Sequence, residues 1–207
     1  MEGWGTNEDL LATADFYVRN RLSKKRYAHT LRVADTAERL AGIHGLDAGR
    51  TRLAALLHDA ARELEPREYL ALADEWEIPL GEHEKGDPKL LHGPIAAELA
   101  IRELDLVDEE VLEAIRAHTV GSPGMGPVAL AVYVADKIEP ARDYPSVERL
   151  RKLAERDLHE AAAEAFRRTG DHNEKSDRPT HPTSLRTLEW LEETIYRRVD
   201  ERDGETP

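Results

Sequence analysis

Six side chains carry the chemistry that this sequence advertises: His29, the adjacent pair His58-Asp59, His92, His118 and Asp136. His58-Asp59 closes the apolar run Leu53-Ala54-Ala55-Leu56-Leu57. A buried helix ending in His-Asp needs something to satisfy both groups, because polar groups left unpaired away from water cost several kcal/mol, to order of magnitude. A metal ion would do so, and Asp59, with two carboxylate oxygens, could bridge two ions. The structural alternative is that Asp59 caps the next segment and His58 is a satisfied core histidine.

The other four fall at positions that face inward. His29, Val33, Ala37 and Leu40 share one helical stripe, as do Val111, Ile115 and His118, and Ala129, Val132 and Asp136. His92 precedes Gly93-Pro94 at a helix start, where proline suits an early helical position. Asp136 stands where core packing would want an apolar residue. Lys137 is its structural alternative as a partner, although neighbouring positions on a helix point about 100° apart. Taken together, six separate structural explanations are a less economical account than one shared metal site.

The elements that position these residues read as helices throughout. Apolar spacing predicts a first helix over Leu10 to Leu22, and Ser23 is placed to cap a second helix ended by Gly42 and Gly45. Asp47 opens the helix that runs to His58. Residues 67 to 80 read as a helix, Gly81 to Pro88 as a polar loop with His83 at the surface, and Asp108 with Glu109 and Glu110 as a capped helix start. Thr119 to Pro127 is expected to be a loop. A charged helix follows from Val147 to Arg168, then a polar linker over 170–183 whose His172 and His181 are read as non-functional. The last helix spans Ser184 to Arg198, with frayed residues beyond it. The sequence has no internal repeat, glycine-rich nucleotide loop or His-Glu-x-x-His spacing.

Composition bounds the rest. At 207 residues, 40% hydrophobic and 34% charged, the chain is expected to form one globular domain. Its first residues, Met1 to Gly5, lack the basic and apolar regions of a signal peptide, and no apolar run is long enough to span a membrane. A cytoplasmic protein is the expectation. Zero cysteines leave only nitrogen and oxygen donors for a metal. A formal net charge of −13 argues against broad nucleic-acid binding, while a local arginine cluster could still hold a small phosphorylated ligand.

In order and context these residues resemble the HD-domain metal-dependent phosphohydrolases. The segments His29-Thr30-Leu31, Leu56-Leu57-His58-Asp59, Leu91-His92-Gly93-Pro94, Ala114 to Thr119, Pro123-Gly124-Met125 and Ala135 to Pro140 are similar to the YqeK-type branch, as is His181-Pro182. The similarity covers roughly residues 26 to 195. It implies an all-α HD bundle with a core over about 26–142, and C-terminal helices over about 147–198 packed on it. It also implies symmetrical hydrolysis of diadenosine tetraphosphate to two ADP at a dinuclear iron site. By the same resemblance, His29, His58, Asp59 and Asp136 would hold one metal, and Asp59, His92 and His118 the other. Asp59 and Arg62 would be catalytic, and Arg62, Thr119 and Arg142 would meet the substrate. Ser122 departs from the arginine that the family commonly carries there, which bears on the preferred polyphosphate length. Four His and two Asp also admit manganese, cobalt or zinc, but disfavour magnesium. Two cations roughly 3.5–4 Å apart would acidify a water and clamp phosphoryl oxygens. Two other readings remain: a phosphohydrolase for another nucleotide, and a metal-bound nucleotide sensor with little turnover.

Overall fold

The computed structural model describes residues 7–204. It contains α-helices and one 3₁₀ turn, with no strand among the described residues. The helices are α1 (Asn7–Arg21), α2 (Lys24–His44), α3 (Ala48–Leu57), α4 (Pro66–Glu75), α5 (Glu82–Gly86), α6 (His92–Leu104), α7 (Glu109–Ala117), α8 (Pro127–Ile138), α9 (Val147–Arg156), α10 (Leu158–Lys175) and α11 (Pro182–Gly204). The 3₁₀ turn Pro88–Leu91 leads directly into α6. None of these helices is long and apolar enough to cross a membrane.

Local chemistry sets the starts and stops. Ser23 Oγ accepts from Arg26 N, Asp47 Oδ1 from Arg50 N, and Asp108 Oδ1 from Glu110 N and Val111 N, each satisfying orphan donors of a first turn. α2 runs through Gly42 and stops at Gly45, whose φ of +67° is the left-handed conformation that glycine adopts without a Cβ penalty.

The core forms where α2 packs on α3 and α8, α7 packs on α3, α6 and α8, and α10 packs on α8, α9 and α11. α8 is apolar almost all round, as its central place requires: Val128 through Ala135 are buried without a break. Tyr133 of α8 stacks on Phe166 of α10 with ring centroids 4.1 Å apart and planes 9° apart, which docks the C-terminal helices.

Four expectations need correction. The charged run after Val147 is two helices, because Asp157 breaks it and caps α10, its Oδ1 accepting from His159 N and Glu160 N. The polar segment from 170 is helical as far as Lys175, so the connection to α11 is short. Gly81 to Pro88 holds the short helix α5, and His83 is half-buried with its ring 5.1 Å from that of His181. Helix α11 also continues past Arg198 to Gly204. Met1 to Gly5 and residues 205–207 lie outside the described residues.

Candidate metal centre

All six histidines and aspartates named above meet in one buried cluster, between 0% and 8% exposed. α2 supplies His29, and α3 ends at His58 with Asp59 in the turn beyond. His92 opens α6, His118 follows α7, and Asp136 lies in the last turn of α8. Asp59 is central. Its Oδ2 lies 3.5 Å from His58 Nε2 and 3.8 Å from His29 Nε2, while its Oδ1 lies 3.4 Å from His92 Nε2 and 3.7 Å from His118 Nε2. Asp136 Oδ1 stands 3.1 Å from His29 Nε2. Each carboxylate oxygen of Asp59 therefore serves a different pair of imidazoles.

Every histidine is held by its other ring nitrogen. His58 Nδ1 donates to Ala55 O, His118 Nδ1 to Ile115 O, and His92 Nδ1 to Lys89 O. His29 Nδ1 donates to Glu139 Oε1, and Arg32 Nε fixes the same carboxylate through Oε2. An N–H committed to an acceptor leaves the opposite nitrogen as a lone pair, so all four Nε2 atoms face inward as acceptors. His29 Nε2 and His58 Nε2 are buried without a hydrogen-bond partner. His92 Nε2 and His118 Nε2 sit 2.9 Å apart.

Charge sharpens the requirement. Burial pushes His58 down to about 4, so it is neutral at pH 7. Burial, with His118 beside it, also holds His92 well below the usual histidine range. Burial alone would raise Asp59 and Asp136, but the surrounding His58, His118 and His92 for Asp59, and Lys137, His29 and Arg142 for Asp136, outweigh it and both lie well below the usual carboxylate range. Neutral imidazole lone pairs directed at ionised carboxylates, and at one another, are satisfied by cations between them. Donors about 2.1 Å from one ion lie about 3.0–3.4 Å apart, close to the separations found here. The residues fit metal ions. Ligand atoms of His29, His58 and Asp136 fall within 4.8 Å of one another, as do those of His58, Asp59 and His118, which puts His58 at the seam of the two sets.

Two glycines let the elements approach. A Cβ at Gly93 would lie 2.9 Å from Arg116 O and 3.0 Å from Ile115 O, so only glycine allows α6 and α7 to bring His92 to His118. Gly121, at φ +77°, is wedged with its Cβ position 2.5 Å from Phe166 Cζ and 2.8 Å from the Thr187 side chain. Ser184 Oγ donates to Val120 O beside it.

The other expected residues surround the cluster. Arg62 Nη1 lies 3.4 Å from His92 Nδ1, and Thr119 Oγ1 lies 3.1 Å from His92 Nε2. Arg142 is engaged with Asp136, its Nη2 donating to Oδ1 at 2.7 Å and its Nε to the backbone carbonyl at 2.8 Å. Lys137 Nζ reaches Asp136 Oδ2 at 2.8 Å, since its long side chain folds back despite the 100° offset of its Cα. Ser122 is half-buried in the loop after His118. Sequence reasoning missed three groups: Arg26, whose Nη1 donates to Asp59 Oδ2 at 3.0 Å, and the Glu139–Arg32 pair behind His29. Their signals were spacing alone, Arg26 one turn before His29 and Glu139 one turn after Asp136.

The HD domain family matches residues 26–141, a span that contains the whole cluster. The chain belongs to the HD-domain family. It is 38% identical over 176 residues to the symmetrical bis(5'-nucleosyl)-tetraphosphatase of Bacillus subtilis, covering 84% of this chain and 93% of that one. It is 36% identical over 136 residues to the protein of the same description from Staphylococcus aureus, covering 66% of this chain and 70% of the other. The crystal structure of an HD superfamily hydrolase described as involved in NAD metabolism, from Clostridium acetobutylicum, superposes with a TM-score of 0.85 at 33% identity. That match covers 93% of this chain and all of the other.

Proposed function

We propose that this HD-domain protein is a symmetrical dinucleoside tetraphosphatase that hydrolyses diadenosine tetraphosphate with one water to two ADP. The observation that carries the reading is Asp59, whose two oxygens face two different histidine pairs, in a chain 38% identical to a symmetrical tetraphosphatase over 84% of its length. His29, His58, Asp59 and Asp136 would hold one ion and Asp59, His92 and His118 the other. The donor set suits iron, with manganese, cobalt or zinc as chemical alternatives. When bound, such a pair supplies Lewis acidity, lowering the pKa of a water for in-line attack on phosphorus.

The chain's own residues do the remaining work. Arg62 and Thr119 stand at the His92 end of the cluster, and Lys137 and Arg142 at the Asp136 end, so donors flank the path a polyphosphate would take. Forked guanidinium contacts from Arg62 and Arg142 would offset the charge that develops on the phosphoryl oxygens and the departing ADP. Arg26 Nη1 donates to Asp59 Oδ2 at 3.0 Å, which helps to orient that carboxylate between the two sets.

Product analysis tests this: metal-loaded protein with diadenosine tetraphosphate gives ADP alone. ATP plus AMP overturns symmetrical cleavage. Asp59→Asn should lower turnover on the order of 10³-fold, the scale of losing charge stabilisation in an active site, and lower bound metal with it. Retained turnover with metal lost would sink the two-metal mechanism. A second reading, hydrolysis of another nucleotide, is favoured by Ser122 and by the NAD-metabolism description of the Clostridium acetobutylicum relative. A mononucleotide and NAD panel in the same assay separates the two.

A further inference from the structure

Two cavities flank the donor cluster, and α10 walls both. One, about 550 Å³, begins at Thr119 and extends past His83, Asn173 and His181. The other, about 810 Å³, begins at Lys137 and Arg142 and follows α10 past Arg168 to His172 and Lys175. Both volumes fall in the roughly 300–1,000 Å³ range of small-molecule sites. Thr169 lines both. Thr119 is 3.1 Å from His92 Nε2, whereas Lys137 and Arg142 touch the Asp136 carboxylate, so the cavities open at opposite ends of the donor row. A linear polyphosphate laid across that row sends its two ends into different cavities.

Charge distinguishes the two. The larger is lined by four permanent cations, Lys137, Arg142, Arg168 and Lys175, against the carboxylates of Glu164 and Asp171, on a chain of formal net charge −13. Three of the cations are already engaged. Lys137 and Arg142 bind Asp136, and Arg168 donates to Ser146 Oγ and Pro145 O while lying over the Tyr144 ring at 4.8 Å. They shape the wall. Lys175 and His172 are exposed, have no side-chain partner among the described residues, and line the same groove. The helical course of residues 170–175 puts them there, one turn apart on α10.

Resting on the tetraphosphatase reading, we propose that the groove between the α8 end and α10 receives one nucleoside diphosphate half of the substrate. Lys175 and His172 are the contacts that favour a dinucleoside tetraphosphate over a single nucleoside diphosphate. The second half occupies the Thr119 cavity. A single nucleoside diphosphate needs only one of the two cavities, so loss of groove contacts falls on the dinucleotide.

The test compares metal-loaded wild type with the His172→Gln/Lys175→Gln double variant. Equilibrium binding is measured for a methylene-bridged, non-hydrolysable diadenosine tetraphosphate and for ADP, beside kcat and KM for diadenosine tetraphosphate. At about threefold for each exposed polar contact, the dinucleotide affinity falls about 10-fold. KM rises by a similar factor, with kcat within about twofold, the pattern of lost uniform binding. ADP affinity changes less than about twofold. Unchanged dinucleotide affinity and KM would overturn the proposal, as would an equal fall for ADP, which reports a general field and no groove contact. A wild type that binds the analogue yet releases no ADP from the substrate fails the activity reading, and the binding ratio still judges the groove. A wild type that binds neither nucleotide overturns the groove proposal.

Discussion

Glu139 Oε1 stands 3.2 Å from His29 Nδ1, and Arg32 Nε holds the other oxygen of the same carboxylate at 2.7 Å. Burial raises the Glu139 carboxyl, but Arg32 and the Ala141 N–H outweigh it and keep it below the ordinary range, so an anion backs the imidazole. A carboxylate behind a ligand histidine fixes its tautomer and raises its basicity. Glu139→Gln should therefore weaken metal affinity by about 10–100-fold, the usual scale for such partners. Competition against a calibrated chelator reads this directly. An unchanged affinity would mean that His29 is oriented by packing alone.

The lone pairs facing Asp59 and Asp136 make the folded chain a better metal host than the unfolded one. Metal at 100-fold over its Kd should stabilise the protein by about 2.7 kcal/mol per site. In a chain of this length that is about 5–10 °C in melting temperature. Thermal scans with graded manganese or ferrous ion after chelation check it. A flat melting temperature would argue that the cluster takes no ion.

At Gly93 two effects compete. Alanine in a helix normally gains about 0.4–1 kcal/mol over glycine through the unfolded state. Here its Cβ would press on Arg116 O and on Ile115 O, the carbonyl that holds His118 Nδ1, and backbone has little room to yield. Overpacking of this kind costs about 1–3 kcal/mol, so the clash wins and Gly93→Ala should destabilise. Turnover should fall further than stability predicts, because His92 and His118 separate. Urea denaturation beside a turnover assay tests both.

Asp157 caps α10 and pairs with Arg198 at 2.9 Å. Burial raises its carboxyl, but the Glu160 and His159 N–H donors and Arg198 outweigh that and hold it below the ordinary value of 3.8. A group lowered on folding contributes stability that is present above its unfolded pKa and lost as pH falls through the folded one. Asp157→Asn keeps a capping side chain and removes the charge, so it should cost about 0.3–1 kcal/mol at pH 7. The gap between wild type and variant should hold down to about pH 5 and close below about pH 4. Urea titrations across that range measure it; a gap that persists in acid would assign the effect to cap geometry.

Much of the fold was legible because its signals are local. Ser23, Asp47 and Asp108 cap helices as their types predict, and the stripes carrying His29, His118 and Asp136 face the core. Residues 170–175 were misread because Gly170, Asp171 and Asn173 are weak helix formers. They stay helical because the face carrying Leu158, Ala161, Ala162, Ala165 and Phe166 is buried upstream, and packing overrides propensity. The break at Asp157 was hidden in a run of charges where one more aspartate carries no distinct signal. Arg26, Arg32 and Glu139 were missed for another reason. Glu139 lies 110 residues from His29 along the chain, and only the packing of α2 on α8 makes them neighbours.

Gly121 sits between Phe166 of α10 and Thr187 of α11, with Ser184 tied to Val120 beside it. The stretch matched by the HD family ends at residue 141, well before either helix. The loop that leaves His118 thus takes its shape from a part of the chain that lies outside the buried His/Asp cluster. The family span contains the buried His/Asp cluster, whereas the mechanical unit that keeps that cluster in register extends into the C-terminal pair. Drift in α10 or α11 is therefore constrained by a loop some fifty residues upstream, and any side chain at position 121 would both strain the backbone and displace Phe166 or Thr187.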